Sequence, residues 1–217
     1  MSKLRVLLAD DHAIIRDGLK QILAETDDLG VAGEAANGID ALHMVREQDW
    51  DLLVLDISMP GRSGLDLIRL VKDEKPRLPI LVLSMHQEEQ YAVRALHAGA
   101  AGYITKESDS ELLLYAMRRV ANGGVYVSDK VAELMARGLR PVGTALPHTR
   151  LSDREYQVFA LLVQGHGLTE IGLELSLSVK TISTHKTRIL QKMEMSNLSE
   201  LVRYAIAHHL VEPGDLY

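Results

Sequence analysis

The sequence predicts an α/β doubly wound domain built on a five-stranded parallel sheet of order 2-1-3-4-5, followed by a small all-α domain of four helices. Three observations carry this. Over residues 3–120, short apolar runs alternate with stretches of helical periodicity, the pattern of parallel strands buried on both faces. Ala121-Asn122-Gly123-Gly124 then breaks the alternation. From Leu151 onward only helical patterns remain.

The first strand is Leu4-Arg5-Val6-Leu7-Leu8-Ala9, and the helix after Asp11 sets Ile14, Ile15, Leu19, Ile22 and Leu23 on one face. Val31-Ala32-Gly33 supplies a short second strand, with a helix over Gly38 to Arg46 behind it. Leu52 to Leu55 and Ile80 to Leu83 are the third and fourth strands, and Tyr103-Ile104-Thr105 the fifth. Their helices run from Gly64 to Val71, Glu88 to His97 and Ser110 to Val120, and Gly99 suits the end of the fourth. Ser128 can cap a short helix through Met135, and Gly138 to Pro147, with two prolines and two glycines, reads as a linker. The remaining helices span Asp153 to Val163, Leu168 to Leu175, Val179 to Met193 and Leu198 to His209, before a frayed six-residue tail. The predicted division is therefore 1–121, a connecting stretch 122–149, and 150–217.

Composition narrows the function classes. With 47% hydrophobic residues but one Trp and one Phe among 217, the core is aliphatic. The absence of Cys excludes disulfides, thiolate chemistry and Cys-based zinc sites. The N-terminus leads straight into a strand and no apolar run reaches membrane-spanning length, so a soluble cytoplasmic protein without membrane contact is expected. A net charge of −6 argues against indiscriminate nucleic-acid binding. Yet Lys180, Lys186, Arg188 and Lys192 lie between Leu175 and Met193 with no acid among them, a local basic stripe.

The strand ends carry chemistry. The first strand ends in Asp10-Asp11, the third in Asp56, the fourth in Ser84 and the fifth in Lys106. Ligands bind beyond the carboxyl ends of such strands, so three carboxylates, a hydroxyl and an ammonium converge on one site. Close carboxylates repel and a divalent cation relieves them. The simplest inference is a magnesium-dependent phosphoryl-acceptor site. Taken singly, each residue has a bland reading: Asp10-Asp11 as a helix cap, Lys106 as a solvated side chain. Together those readings require independent accidents at one sheet edge.

Asp10-Asp11, Asp56 with Ser58-Met59-Pro60-Gly61, Ser84, and Lys106 after Gly102-Tyr103 resemble the receiver domain of bacterial response regulators. The resemblance implies that Asp56 accepts a phosphoryl group from a sensor histidine kinase. It implies that Asp11, Asp56 and the Ser58 carbonyl ligate Mg²⁺, that Asp10 acts partly through water, and that Ser84 and Lys106 hold phosphoryl oxygens. Tyr103 resembles the family's aromatic switch, although alone it reads as well as core. Phosphatases of the haloacid dehalogenase type share the strand-end Asp, but need a second Asp two residues on as general acid/base, where Ser58 stands. No enzyme acting on an external substrate is expected, only phosphorylation and dephosphorylation of Asp56 itself. Ser58 and His86 occupy positions where receivers tune the lifetime of the acyl phosphate.

Leu151-Ser152-Asp153-Arg154-Glu155, Gly165, Glu170-Ile171, Ser178-Val179-Lys180-Thr181-Ile182 and Lys192-Met193 resemble a LuxR-type helix-turn-helix. At about 100° per residue, Val179, Ile182, Ile189, Leu190 and Met193 share the side facing the helix Leu168–Leu175. Lys180, Ser183, Thr184, Thr187, Arg188 and Gln191 share the other, polar, cationic and free of acids, as a helix entering the major groove requires. Lys180 and Arg188 are candidate phosphate or guanine contacts. Ser183, Thr184 and Thr187 are base-edge candidates, and the resemblance places base readers at the last three positions. Lys186 falls on the packed side, its stem snorkelling toward the DNA backbone. Two copies on paired half-sites would compensate a modest basic footprint. Leu198, Leu201, Val202, Ala205 and Ile206 form an apolar face fit equally for dimer contact or core. Gly167 and Leu168 stand where the family has polar helix-starting residues, and Gly172 where it has Ala.

With both parts in place the chain resembles a response regulator of the NarL/FixJ family. The implied function is transcription regulation: phosphorylation at Asp56 controls homodimerisation and binding to double-stranded promoter DNA. A phosphorylation-independent regulator that uses the receiver as a protein-interaction module is the alternative. Among nine histidines, His12, His86, His148, His185, His208 and His209 show no metal spacing with a carboxylate, and read as surface or packing residues.

Overall fold

A computed structural model describes residues 3–59, 64–85, 89–138, 146–208, 210 and 211. The chain divides after Arg137 into two compact units. In the first, β1 (Leu4–Ala9), β2 (Leu29–Ala35), β3 (Leu52–Asp56), β4 (Ile80–Ser84) and β5 (Gly102–Thr105) form one parallel sheet in the expected order β2-β1-β3-β4-β5. Between the strands run α1 (Ala13–Ala24), α2 (Gly38–Glu47), α3 (Gly64–Glu74) and α4 (Glu89–His97), and α5 (Ser110–Ala121) follows β5. β3 and β4 are buried at every residue, as continuous apolar runs require when helices cover both faces. β2 exceeds its predicted length because it is an edge strand: its pattern is mixed and Glu34 points outward.

One face of the sheet buries Val6, Leu8, Leu52, Val54, Leu81, Leu83 and Ile104 with Leu23 of α1 and Leu113, Met117 and Val120 of α5. On the other, α3 buries Leu65, Leu67, Ile68 and Val71. Gly64 opens α3 where a Cβ would lie 2.4 Å from the Ile57 Cα, so only glycine permits this close approach. Gly99 takes φ +111° just beyond α4, as its predicted capping role needs. Asn37 and Asp109 cap α2 and α5 through their side-chain oxygens.

Residues the sequence assigns to the connecting stretch continue the first unit. Tyr103 N–H donates to Tyr126 O (3.0 Å) and Tyr126 N–H to Ala101 O (3.0 Å), so Tyr126 pairs with the outer edge of β5. The helix α6 (Asp129–Gly138) follows, with Ser128 Oγ accepting from Val131 N–H. Most of the predicted linker, 139–145, lies outside the described residues.

The second unit is all-helical: a 3-10 turn at Pro147–Arg150, then α7 (Asp153–Val163), α8 (Leu168–Glu174), α9 (Val179–Met193) and α10 (Leu198–Ala207). Ser152 and Glu155 form a capping box at α7, and Ser178 and Asn197 cap α9 and α10. Among the described residues no helix is long and apolar enough to cross a membrane.

Candidate functional site

Strand register brings the predicted acids together. Ala9 pairs with Leu55 and Asp56 with Leu83, so β1, β3 and β4 end in line and Asp10, Asp56 and Ser84 follow one another across the sheet edge. Ser84 pairs with Thr105, and its carbonyl accepts from Lys106 N–H at 2.8 Å. Lys106 Nζ lies 2.7 Å from Asp56 Oδ2 and 2.7 Å from Asp10 Oδ2. Its approach to Asp10 Oδ2 is off the hydrogen-bonding direction, so that buried oxygen has an ion-pair partner but no hydrogen bond. Ser58 N–H donates to Asp56 Oδ1 at 2.8 Å, while the Ser58 side chain faces solvent. Asp11 stands at the surface beside them.

Asp56 is 1% exposed. Burial pushes its carboxyl pKa up, against the opposing hydrogen bonds from Lys106 and Ser58 N–H, and the Asp10 charge adds to the rise. Burial alone would lower the Lys106 ammonium, but its close contacts with the Asp10 and Asp56 carboxylates carry its pKa above the ordinary lysine value. Three carboxylates against one ammonium leave the site short of positive charge. Asp10, Asp11, Asp56 and His12 each place a ligand atom within 4.8 Å of the others. With their hard carboxylate oxygens and excess negative charge, the residues fit a divalent cation.

His12 is the residue sequence reasoning missed. Read as a surface or packing residue without metal spacing to a carboxylate, it does lie at the surface but sets Nδ1 3.1 Å from Asp10 Oδ1 and 3.1 Å from Asp11 Oδ1. The absent signal was helical spacing; the usable one was its place directly after an acidic pair at a strand end, where the chain turns back over the site. Tyr103 is buried and lines a 160 Å³ cavity with Leu112, Tyr126 and Val131. Pro60, Gly61 and His86 lie outside the described residues.

The second unit presents α9. Lys180, Ser183, Thr184, Thr187, Arg188 and Gln191 are all exposed, and Ile182, Ile189 and Met193 are buried against α7 and α8. Val179 departs from its predicted packed side: it is 45% exposed. Lys186 is half-buried. Thr184 and Thr187 hydroxyls donate to the Lys180 and Ser183 carbonyls (3.0 and 3.1 Å). Glu155, buried in α7, anchors the helix: its Oε2 accepts from Lys192 Nζ (2.6 Å) and Ser152 N–H (2.8 Å). Arg154 ties α7 to the turn by donating to Leu175 O at 2.7 Å.

Gly172 has a local reason. A Cβ there would stand 2.8 Å from the Leu177 carbonyl oxygen, so the tight turn between α8 and α9 excludes Ala. Gly167 cannot cap α8 with a side chain, but its N–H donates to Glu170 Oε2 at 2.7 Å. In α10, Leu201 and Ala205 are core while Ile206 is partly exposed. His148 is buried and shares a 2.8 Å hydrogen bond with the Tyr204 hydroxyl, a packing role as expected.

Comparison with known proteins agrees with both halves. Residues 6–118 match the family described as response regulator receiver domain, and residues 149–205 the family described as bacterial regulatory proteins, luxR family. The oxygen regulatory protein NreC of Staphylococcus carnosus is 36% identical over 96% of this chain and 100% of its own length. NreC of Staphylococcus aureus is 38% identical over the same shares. The structure of RcsB from Salmonella enterica serovar Typhimurium, bound to promoter P1flhDC in the presence of the phosphomimetic BeF₃⁻, is 28% identical with a TM-score of 0.65. That match covers 94% of this chain and 98% of RcsB.

Proposed function

The chain belongs to the NarL-family response regulators, which regulate transcription through a receiver domain and a LuxR-type DNA-binding domain, and we propose that phosphorylation at Asp56 by a sensor histidine kinase controls its homodimerisation and promoter binding. In this reading residues 1–121 are the receiver, 122–149 the connecting stretch and 150–217 the DNA-binding domain, and the protein works in the cytoplasm. One observation carries the reading most: Asp56, at the end of β3, is desolvated and held from both sides by Lys106 Nζ and Ser58 N–H.

A carboxylate is a weak nucleophile toward phosphorus, so position and charge must lower the barrier. Asp56 forms the new O–P bond as the N–P bond of the kinase's phosphohistidine breaks. Lys106 supports one phosphoryl oxygen as a point charge, and Ser84, at the end of β4, donates to another. Asp10, Asp11, Asp56 and the Ser58 carbonyl would hold Mg²⁺. When bound, that ion neutralises charge on the phosphoryl oxygens. Drawing Ser84 inward disturbs β4 and β5, where the Tyr103 ring lines its cavity; two ring positions would then present two surfaces. On DNA, Lys180 and Arg188 meet phosphate or guanine, and Ser183, Thr184, Thr187 and Gln191 face base edges.

The RcsB complex, seen with a phosphomimetic on a promoter, supports the same coupling here. Selection of genomic DNA fragments on the full chain, with and without acetyl phosphate and Mg²⁺, tests it. Defined sequences should be enriched with the phosphodonor, and neither Asp56→Asn nor Arg188→Ala should enrich them. Equal enrichment by Asp56→Asn and wild type contradicts phosphorylation control.

A further inference from the structure

We propose that His185 is a DNA-backbone contact: a neutral ring held as its Nε2–H tautomer, donating that N–H to a phosphate oxygen on the α7 side of α9. The proposal rests on α9 as the helix that enters the major groove, and adds to it a residue outside the exposed polar face.

At about 100° per residue, Thr181, His185, Arg188 and Lys192 share one flank of α9. That flank runs between the buried stripe of Ile182, Ile189 and Met193 and the exposed Lys180, Thr184, Thr187 and Gln191. Lys192 Nζ reaches Glu155 of α7 at 2.6 Å, so the flank is turned toward α7. The centre of a helix in the groove meets base edges, and its flanks meet the sugar–phosphate strands that wall the groove.

His185 is half-buried on this flank, and its two ring nitrogens differ. Nδ1 is enclosed and, among the described residues, has no hydrogen-bond partner; Nε2 is not enclosed and opens to solvent. Burial pushes the ring's pKa below the ordinary histidine value. The Glu155 carboxylate opposes this, and the Arg154 and Arg188 charges reinforce it. The ring is therefore neutral near physiological pH, with one N–H and one lone pair to place. An N–H shut away from water without an acceptor is a rarer and costlier orphan than a bare lone pair. Nδ1 thus keeps the lone pair and Nε2 carries the proton.

The result is a solvent-facing donor in the field of two guanidinium groups. Glu155, the acid that acts on it, is already engaged by Lys192 and the Ser152 N–H. An anionic group that only accepts hydrogen bonds suits this place, and on DNA that group is the phosphate.

The test uses the full chain and a DNA fragment it enriches. In the wild type, long-range proton–nitrogen NMR should find His185 as the Nε2–H tautomer near neutrality, with exchange of that proton slowed on DNA. An Nδ1–H tautomer, an imidazolium, or unchanged exchange on DNA overturns the proposal, and none of these readings needs a variant to fold. Glutamine sets an amide nitrogen near the Nε2 position, whereas asparagine sets one near Nδ1. His185→Leu and His185→Asn should each weaken binding about 10-fold, alike across sequences, and His185→Gln should restore most of it. Because the donor is neutral, the salt slope should stay at its wild-type value in all three. Wild-type affinity in His185→Leu, or better rescue by Asn than by Gln, contradicts the contact. If Arg188→Ala and Lys180→Ala also bind as wild type does, the assignment of α9 itself fails, a failure distinct from that of His185 alone.

Discussion

Lys106 Nζ stands 2.7 Å from Asp56 Oδ2, and neither side chain is more than 3% exposed. Breaking a buried pair by removing one partner is far costlier than lacking the pair altogether. Lys106→Met strands the Asp56 and Asp10 carboxylates side by side, and should destabilise the first unit by about 3–5 kcal/mol. A divalent cation supplies the missing charge, so the loss should be smaller in Mg²⁺ than in chelator. Urea unfolding followed by Trp50 fluorescence measures both; a loss indifferent to Mg²⁺ contradicts a cation site at these carboxylates.

Glu155 and Lys192 join α7 to α9, the helix assigned to the major groove. Burial works to raise the Glu155 carboxyl, but the Lys192 and Ser152 hydrogen bonds outweigh it and hold its pKa below the ordinary value. A depressed folded-state pKa adds stability above the unfolded value, about 4.3, and that stability is lost as pH falls through the folded one. The protection factors of α9 amides, taken relative to intrinsic exchange at each pH, should therefore fall on acidification below about pH 5. Glu155→Gln should cost about 1–3 kcal/mol of protection near neutrality and flatten that dependence.

Helix propensity alone predicts that Gly172→Ala gains about 0.5–1 kcal/mol. The Leu177 carbonyl, 2.8 Å from where the Cβ must go, reverses the sign. The variant should lower the melting temperature of the second unit by calorimetry and weaken DNA binding through a displaced α9. A rise in melting temperature shows that the turn yields.

Arg188→Ala and Lys180→Ala should weaken DNA binding while leaving circular dichroism unchanged. A phosphate contact, once removed, lowers affinity almost uniformly across sequences and reduces the salt slope by about 1. A guanine contact instead relaxes preference at one position and costs about 1–3 kcal/mol. Salt titrations on selected and scrambled DNA separate the two roles for each residue.

The sheet was legible because β3 and β4 are unbroken apolar runs, which few other structures tolerate, and because each ends in a residue the site uses. β2 was legible only at its centre, since an edge strand solvated on one side carries Gly30 and Glu34 within it. Tyr126 was not legible at all: one residue pairing with β5 leaves no periodicity to read. The polar face of α9 followed from helical geometry. Val179 did not, because periodicity gives a direction and says nothing of whether a neighbour extends far enough to cover it. His12 escaped for a related reason, as its partners are adjacent in sequence and meet it only through the turn after β1.

The most direct measurement is the intact mass of the full chain after acetyl phosphate and Mg²⁺, for wild type and Asp56→Asn, with the modified residue located by peptide mapping. A gain of one phosphoryl group in wild type, mapped to Asp56 and absent from the variant, is the predicted result. No gain in folded wild-type protein, or the same gain in Asp56→Asn, contradicts Asp56 as the acceptor.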